Sequence, residues 1–488
     1  MRVLLRVALV VVGLGASLAG QETPANTSEI DRLSQELRRT QADLADSRRE
    51  IEELRNSLEE LRNQVQKSQP ASPASPIVPA SEPSAAAADQ DISFLSAKVA
   101  ELHQDKVESA SKYPVKLYGL ILFNSYFNDG VFDIEDFPSL VFPRTPGATH
   151  NSIGATMSQT LLGLDVRGPK VFGSQTSGDL SFDFAGGSPT VEFGVTNGIV
   201  RLRTANIHLD WKNTSLKIGQ DTPFFSPLSP TSYATVKEPA LSWAGNLWVW
   251  TPMVEVEHRF TIAEGSSLVL QGGLLDPLTE AIPPFQGRIP TAGEVTRVPA
   301  IAGRIGWDRS SASRFPFSLG FAGYRAKQKY DSLPNVDSWT VNTDFKFPIG
   351  SHLELSGEWY TGQAVGGLGG GIWTSVVFPE ASEPHTAVNP LRSTGGWGQL
   401  KLIANSKLEF NVAAGQDSNT GDSLRFFTES FANGFPPLQR NRAELVNVIY
   451  RPRRFLLFAG EYRHLFTASS TGWSASGDHV NLSAGVEF

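Results

Sequence analysis

Two arginines, Arg201 and Arg203, stand close together in the segment Val200-Arg-Leu-Arg-Thr-Ala-Asn. In a β-strand, residues at positions i and i+2 point to the same face, so the two guanidinium groups would share one side and Leu202 would take the other. A guanidinium group binds carboxylate or phosphate through a fork of N–H donors. If this face meets water, the spacing predicts a wall that attracts and orients small anions.

Further charged residues are candidates to join or oppose this pair. The basic candidates are Arg167, Arg304 and Arg325, and the acidic ones are Asp165, Glu255 and Glu257. Acidic and basic rows that face each other across water would set up a transverse field that orients polar solutes. The alternative interpretation is that these charges pair with one another and only solvate or rigidify the wall.

The sequence carries no motif for catalysis, a metal ion or a cofactor. It has no cysteine, which excludes a thiolate zinc site, an iron–sulfur cluster and a cysteine nucleophile. Its eight histidines are scattered, and neither HExxH nor GxSxG occurs. We therefore expect no metal, no cofactor and no enzyme activity, with a hydrolase acting at a lipid face as an alternative. The net charge of −8 argues against a nucleic-acid partner, which needs a basic surface.

The elements that would position these residues are β-strands with a period of two. The last ten residues are the clearest sample, because apolar residues from Val480 to Phe488 alternate with polar ones. The alternation recurs around Phe182, Phe345 and Phe410. In a membrane barrel the apolar face of each strand is outside and the polar face lines water. The aromatic Phe488 at the extreme C-terminus is the expected signal for barrel assembly.

Sixteen such segments, an even number, follow Tyr113, and the connections between them alternate between short and long. Short connections include residues 212–214 and 404–406, whereas long ones include residues 221–246 and 362–395. Short turns on one rim and long loops on the other are typical of an outer-membrane barrel, and sixteen strands can enclose an aqueous channel. We therefore predict an all-β fold, a 16-stranded antiparallel transmembrane β-barrel over residues 113–488.

The composition agrees with strands that have one face in lipid. Charged residues make up 19% of the chain, below the roughly 25% of ordinary soluble domains, and Phe is abundant, with 29 copies. Tryptophans are expected at the two membrane interfaces of such a barrel. The candidates for these girdles are Trp248, Trp250, Trp307, Trp359 and Trp397.

Four segments precede the predicted barrel. Residues 1–19 have the charged start, short apolar core and small-residue exit of a secretory signal peptide. Residues 27–68 predict a parallel coiled coil, residues 69–90 a Pro/Ala-rich spacer, and residues 91–112 a short second heptad segment. A lone amphipathic helix is the alternative to the coiled coil, and the heptads leave the number of strands open. The a positions of the coiled coil are apolar throughout: Ile30, Leu37, Leu44, Ile51, Leu58 and Val65.

This architecture resembles the coiled-coil-bearing trimeric porins of the DcaP-like family, relatives of the phosphate-selective porin O/P group. Locally, the arginine segment and the later Leu216-Lys-Ile-Gly-Gln-Asp are similar to that family's Arg-Leu-Arg strand and Gly-Gln strand end. The family often has His after the arginine pair, where this sequence has Thr204. The resemblance implies a homotrimer that lets small, often anionic, solutes diffuse. By analogy with general porins, the third long loop, Asp221 to Asn246, would fold into the lumen, and its charged pair Lys237 and Glu238 would touch the solute.

The sequence is therefore expected to encode an outer-membrane porin of a Gram-negative-type envelope, with its coiled coil in the periplasm. The expected partners are further copies of itself, outer-membrane lipid, small polar solutes and the barrel-assembly machinery, with peptidoglycan as a further candidate. The alternative is a structural tether that links the outer membrane to the periplasm or peptidoglycan through the coiled coil. No wall-binding module is recognisable in the sequence to favour the tether.

Overall fold

The computed structural model describes residues 113–488, apart from residues 148, 187–197, 278, 280–289, 311, 312, 314, 331, 380–385, 421–423 and 425–436. Of the two units into which the chain divides, Met1–Gln90 and Asp91–Phe488, these residues all belong to the second. The predicted signal peptide, the coiled coil with its six core positions, the spacer and the second heptad segment lie outside the described residues.

Sixteen strands, numbered here in chain order, form one sheet. Their bounds are β1 Val115–Asp129, β2 in two pieces Asn151–Thr156 and Leu161–Val171, β3 Ser174–Asp183, β4 Arg201–Asp210, β5 Thr214–Asp221, β6 Thr251–Ala263, β7 Ser266–Leu275, β8 Ala300–Arg309, β9 Phe317–Gln328, β10 Val336–Ile349, β11 Leu353–Gln363, β12 Arg392–Asn405, β13 Leu408–Thr420, β14 Leu438–Arg453, β15 Leu456–Ser469 and β16 Ser474–Glu487.

The sheet is a closed antiparallel barrel, as the sequence predicts. Each strand pairs with its neighbours in sequence, and β1 pairs with β16 from Leu120–Glu487 to Asp129–Asp478. Both pieces of β2 pair with β1, so they count as one interrupted strand. The terminal Phe488 completes the closure, because it and Gly119 exchange two backbone hydrogen bonds of 3.0 Å.

The connections follow the predicted parity, apart from two short ones on the rim that carries the long loops. Seven turns on one rim, hereafter the short-turn rim, span residues 172–173, 211–213, 264–265, 310–316, 350–352, 406–407 and 454–455. Eight loops on the opposite, long-loop rim are named L1 (130–150), L2 (184–200), L3 (222–250), L4 (276–299), L5 (329–335), L6 (364–391), L7 (421–437) and L8 (470–473). L1 contains a small hairpin, Val131–Phe132 with Val141–Phe142, and L6 contains another, Val376–Val377 with Asn389–Pro390.

The two faces of the barrel have opposite character, because successive side chains of a strand point to opposite sides. Large apolar side chains are exposed on the outer face, for example Ile301 at 60%, Phe321 at 58% and Leu482 at 62%. Polar side chains such as Asn124 and Asn441 point inward and are buried. An apolar exterior with a polar interior is the arrangement of a barrel that sits in lipid. No helix in the described part of the chain is long and apolar enough to span a membrane.

Of the five tryptophans predicted for the girdles, two lie on the outer face of the barrel, and for the three that lie inside it the prediction is wrong. Trp307 and Trp359 lie on the outer face, about half exposed. Trp397 is buried and points into the lumen, because on β12 it shares the parity of Gln399 and not that of the outward Leu400. Trp248 and Trp250 belong to L3, inside the barrel.

L3 packs against two apolar patches of the inner wall. Phe224 and Phe225 at its start lie in a cluster with inward alanines of β8 and β9, including Ala302 and Ala322, whose small side chains leave room for the rings. Further along, Leu241 and Ala244 join a second cluster whose wall side is formed by residues of β12 to β15: Trp397, Ala413, Ala443, Leu445 and Leu465. Burial of apolar area at both ends stabilises the loop inside the barrel.

Candidate functional site

L3 crosses the interior of the barrel and is hydrogen-bonded to the wall on several sides. The carbonyl oxygen of Tyr233 accepts hydrogen bonds from Asn124 on β1 (2.8 Å) and Ser483 on β16 (3.1 Å). On the other side of the loop, Ser226 Oγ donates to Glu358 of β11 at 2.6 Å. Asn447 of β14 donates to the carbonyl oxygen of Thr231 at 2.8 Å. The loop is therefore held inside the barrel by these bonds, as expected from the analogy with general porins.

The interruption of β2 supplies one of the anchors of L3. Gln159 lies between the two pieces of the strand and is fully buried. Its Nε2 donates to the carbonyl oxygen of Ala234 at 2.9 Å, and its Oε1 accepts from the backbone N–H of Val236 at 2.6 Å. Both ends of the amide are satisfied by the loop, so the break in the strand positions a residue that recognises the L3 backbone.

Arg201 and Arg203 share the lumen face, as predicted, and both contact one carboxylate. Arg201 binds Asp183 of β3 through Nε at 3.2 Å and Nη2 at 2.8 Å, and Arg203 Nη1 lies 3.4 Å from the same group. The two arginines also donate to the L3 carbonyl oxygens of Lys237 (2.6 Å) and Val236 (2.8 Å). They therefore position the loop as well as charging the wall.

A β-bulge and an aromatic ring set the orientation of the pair. The register between β3 and β4 shifts at this point, so that Arg203 is the extra residue between Leu202 and Thr204. Bulges re-aim side chains in this way. The guanidinium carbons of Arg201 and Arg203 lie 4.7 Å and 4.8 Å from the ring centroid of Trp250, at the end of L3. Cation–π contacts of this kind stabilise a guanidinium group that has lost part of its water.

L1 also folds into the barrel and covers the charged pair of L3. Lys237 is only 6% exposed, and its Nζ lies 2.6 Å from Oδ2 of Asp136 in L1 and 3.9 Å from the ring centroid of Phe137. Burial lowers the pKa of Lys237, while Asp136 opposes that effect. The prediction that Lys237 touches the solute is wrong, because its ammonium group is buried between L1 and L3 and pairs with Asp136.

Two carboxyl groups with buried oxygen atoms lie beside this contact. Burial raises the pKa of Glu238 to about 7, although nearby Arg201 acts in the opposite direction. Its Oε2 is buried without a hydrogen-bond partner, so Glu238, like Lys237, does not present its charge to the lumen as predicted. Burial likewise raises the pKa of Asp133 in L1 to about 6, against hydrogen bonds from the backbone N–H groups of Leu140 and Ser139.

A chain of polar contacts follows the inner wall from β3 to β5. His208 Nε2 lies 2.6 Å from Asp179 Oδ1, and Asn206 donates to Asp179 (3.0 Å) and to Asp221 (3.4 Å). Asp165 faces Asp179 across β2 and β3 in the register of the sheet. The acidic side chains of this part of the wall thus lie next to each other on neighbouring strands.

The chain of contacts continues from β5 to β10. Lys217 bridges Asp221 and Glu255, each at 2.9 Å, and Gln271 donates to Glu255 at 2.9 Å. Arg304 donates to Gln271 (2.9 Å) and binds Asp344 through two N–H groups (2.9 and 2.7 Å). For Glu255 and Arg304 the structure favours the interpretation in which wall charges pair with one another.

Toward the short-turn rim, charges of opposite sign alternate on consecutive strands. Lys346 of β10 lies 3.1 Å from Glu354 of β11, and Glu409 of β13 lies between Lys401 of β12 (3.6 Å) and Arg451 of β14 (3.5 Å). These side chains share the inner face of the wall. Alternation on this side leaves little net charge in any one place.

The remaining predicted residues do not join the arginine pair. Arg167 lies on the inner face of β2 with Asp165, but toward the short-turn rim, whereas Arg201 begins β4 at the long-loop rim. Glu257 pairs with Arg259 of its own strand at 3.3 Å.

Arg325 is on the outside of the barrel, and its prediction as a lumen residue is wrong. It alternates in phase with the outward Phe321 on β9, its side chain is 71% exposed, and it lies 3.4 Å from Asp337. Since the β-strand period is two, the parity with Phe321 decides the direction of the side chain.

Several residues that shape the site were not predicted from the sequence. Asp183 has a local signal, because it alternates with Leu180 and Phe182 on β3 and so must point inward. Gln159, Trp250 and Asp136 have no such signal, because their roles arise from a strand break and from loops that meet in the folded barrel. In the part of the chain that the structure describes, no three His, Asp or Glu side chains converge as a metal ion would require.

A channel and a porin are among the solved structures that are similar to this chain. The outer membrane channel DcaP of Acinetobacter baumannii aligns with a TM-score of 0.61 at 18% identity, over 78% of this chain and 99% of its own. The anion-selective porin from Comamonas acidovorans aligns with a TM-score of 0.50 at 12% identity, over 77% of this chain and 100% of its own. No protein-family model matches the sequence, and no curated protein matches it.

The comparison confirms the predicted resemblance at the level of the fold. The alignments include more than three quarters of this chain and nearly the whole length of the two other chains. The sixteen-stranded antiparallel barrel is therefore a shared fold. This chain has the porin-type barrel fold of the outer membrane channel DcaP.

Proposed function

We propose that this chain is an outer-membrane porin, a passive diffusion channel for small hydrophilic solutes. The proposal is supported by the closed barrel, whose outer face is apolar and whose inner face carries charged and amide side chains. It is also supported by the fold shared with a channel and a porin. No reacting group or cofactor has a part in such transport.

The observation that carries the proposal is that charged wall residues beside L3 keep contact with solvent. The side chain of Arg201 is 26% exposed, that of Asp179 is 24% exposed and that of Lys217 is 19% exposed. All three point to the inside of the barrel, so their exposed surface faces water within the lumen. A wet, charged path beside a fixed loop is what a diffusion channel needs.

We propose anionic solutes as the preferred class. Arg201 and Arg203 share the single carboxylate of Asp183, so the pair keeps a net positive charge toward the path. Their fork-shaped donors suit carboxylate and phosphate groups. Electrostatic attraction at a narrow, low-dielectric site would raise the local concentration of such anions.

We further propose that the protein is a homotrimer located in the outer membrane, with the predicted coiled coil in the periplasm joining the three chains. Opposite charges at the g and e positions of the heptads favour parallel helices from identical chains.

Conductance of the purified full-length protein in planar lipid bilayers tests the proposal. An open channel that closes in three equal steps is the expected result for a trimer of pores. The reversal potential across a salt gradient should report anion preference. A protein that folds as a barrel but conducts no ions would overturn the porin proposal in favour of a structural tether, which binding to peptidoglycan would then identify.

A further inference from the structure

The outer face of the barrel carries a groove whose floor is made of small residues. Gly396 and Gly398 of β12 and Ala414 of β13 point outward in the middle of this wall. A Cβ placed on Gly398 would meet its nearest atom, a backbone oxygen, only at 4.0 Å, so the space above it is open. In the register of the sheet, Gly398 lies between Gly357 of β11 and Ala414 of β13, so the small residues form a row across three strands. Phe345 of β10, the partner of Gly357, ends this row.

The walls of the groove differ on its two sides. Phe345 of β10 and Trp359 of β11 flank the floor on one side, and Gln416 of β13 and Arg442 of β14 flank it on the other. The groove has a volume of about 510 Å³. An apolar floor with aromatic walls suits a hydrocarbon chain, because burial of CH₂ groups against such a surface is favourable.

Arginines cluster around the end of the groove nearest the long-loop rim. Arg392 of β12 and Arg440 and Arg442 of β14 all point outward and are exposed. Among the described outward residues of β12, β13 and β14, Glu444 is the one carboxylate, and it pairs with Arg442. The end of the groove near the long-loop rim therefore has an excess of positive charge, on a surface that meets the headgroup region of a membrane.

We propose that this groove binds a membrane lipid, with an acyl chain on the Gly396–Gly398 floor and a phosphate-bearing headgroup on Arg392, Arg440 and Arg442. Guanidinium groups bind phosphate bidentately, and basic residues at a membrane surface attract anionic headgroups. Charge complementarity favours this occupant over a second copy of the chain. The same surface on another copy would bring a further set of arginines to the contact.

Two variants remove the two halves of the site, and the barrel itself offers matched controls. The triple variant R392Q/R440Q/R442Q removes the three positive charges beside the groove, and G398L places a large side chain on its floor. Arg325→Gln is the control for the first, since Arg325 is also an outward, exposed arginine but lies on β9. Gly303→Leu is the control for the second, since a Cβ on this outward glycine of β8 would also be unhindered, with its nearest atom at 3.7 Å.

The test uses the full chain in nanodiscs of phosphatidylcholine with a minor fraction of phosphatidylglycerol, followed by native mass spectrometry of the released protein. The wild type should retain a phosphatidylglycerol molecule per chain. Each arginine removed should weaken retention about fivefold, G398L should reduce it to the level of loosely bound lipid, and both controls should match the wild type. Equal retention by all five proteins would overturn the proposal, because the bound lipid would then be unspecific.

A second measurement asks whether another copy of the chain occupies the groove. The chain has no cysteine, so Gln416→Cys introduces a single reporter at the groove. If oxidation in the membrane leaves the chains uncrosslinked, the groove is open to lipid, as proposed; an efficient disulfide between copies would assign it to a subunit contact and reject the lipid. Conductance should be unchanged in all these variants, so the outcome is independent of the proposed channel function.

Discussion

Arg203 of the barrel wall donates a hydrogen bond of 2.8 Å to the backbone carbonyl oxygen of Val236 in L3. Arg201 makes the equivalent bond of 2.6 Å to the next residue of the loop, Lys237. In the proposed channel the arginine pair would therefore have two roles, because it would charge the path and it holds L3, the loop that would narrow the path. Its removal should change both the preference for anions and the geometry of the constriction.

The double variant R201A/R203A should shift the reversal potential toward cations and should also increase the conductance noise. The first effect follows from the loss of two positive charges beside Asp183, and the second from the loss of two bonds to L3. In R201K/R203K the charge stays but the bidentate and stacking contacts are lost. The lysine variant should therefore have the reversal potential of the wild type but the higher conductance noise of the alanine variant. An unchanged reversal potential in the alanine variant would reject the arginine filter.

Anion preference should decrease as the pH rises through about 7. Burial raises the pKa of Glu238 to about 7, so this carboxyl group is neutral at lower pH and becomes negative, close to Arg201, at higher pH. Glu238→Gln should abolish the shift of the reversal potential between pH 6 and pH 8. Glu264→Gln, in the turn 264–265 on the opposite rim, should keep it. A shift of the same size in E238Q would assign the pH dependence to another group.

The same carboxyl group should make the barrel less stable as the pH rises. The folded-state pKa of about 7 is above the reference value of 4.5, so the folded chain holds the proton more tightly than the unfolded chain between these values. The free energy of unfolding should therefore fall by up to about 3 kcal/mol across this range. Glu238→Gln should flatten this slope when unfolding is followed in urea with lipid vesicles. A slope identical to that of the wild type would show that Glu238 is not the titrating group.

Lys237→Met should release L1 from L3. The variant leaves Asp136, whose side chain is 17% exposed, without its cation, and removal of one partner of a buried ion pair costs about 3–5 kcal/mol. Hydrogen exchange at the amides of Ser139 and Leu140, which bind Asp133 in L1, should become faster. Arg144→Gln is the control, because its pair with Asp129 is about half exposed and should contribute at most about 1 kcal/mol. Equal exchange in both variants would contradict a special role for Lys237.

Gln159→Ala should loosen L3 at its anchor on the interrupted strand. The buried amide serves both Ala234 and Val236, so the variant leaves two backbone groups without partners at a cost of about 1–3 kcal/mol each. We expect a broader distribution of open-channel currents and a lower thermal midpoint of unfolding. Gln175→Ala, whose amide is exposed near the turn 172–173, should change neither quantity. Wild-type currents in Q159A would show that the other anchors suffice.

The barrel and its parity could be predicted from the sequence because both depend on local patterns. Alternation of apolar and polar residues determines which face of a strand is apolar, and it predicted the outward side chains of β16. Strand ends could not be predicted as well, because pairing in the barrel extends or shortens them. The alternation in the sequence places the starts of β4 and β6 near residues 198 and 246, whereas in the structure these strands begin at Arg201 and Thr251. The direction of Arg325 is itself a local property, and the parity with Phe321 places it outside.

The partners of the charged residues could not be predicted in this way. Lys237 and Asp136 are about a hundred residues apart, and Arg304 meets Asp344 two strands away, so no local pattern relates them.

The sequence by itself determined that this chain forms a closed barrel of sixteen strands and that Arg201 and Arg203 share one face of a strand, because side-chain direction in a strand repeats every two residues. Only the bulge at Arg203 decided that this face is the inner one, since the inward Asn206 and His208 of the same strand have the opposite parity. Only the tertiary structure decided that both arginines bind Asp183, that L3 is anchored by Gln159 and that L1 covers Lys237 and Glu238. Those contacts form between loops and walls that are brought together when β1 closes on β16. Their geometry depends on the curvature of the whole sheet, and no segment of the chain encodes that curvature alone.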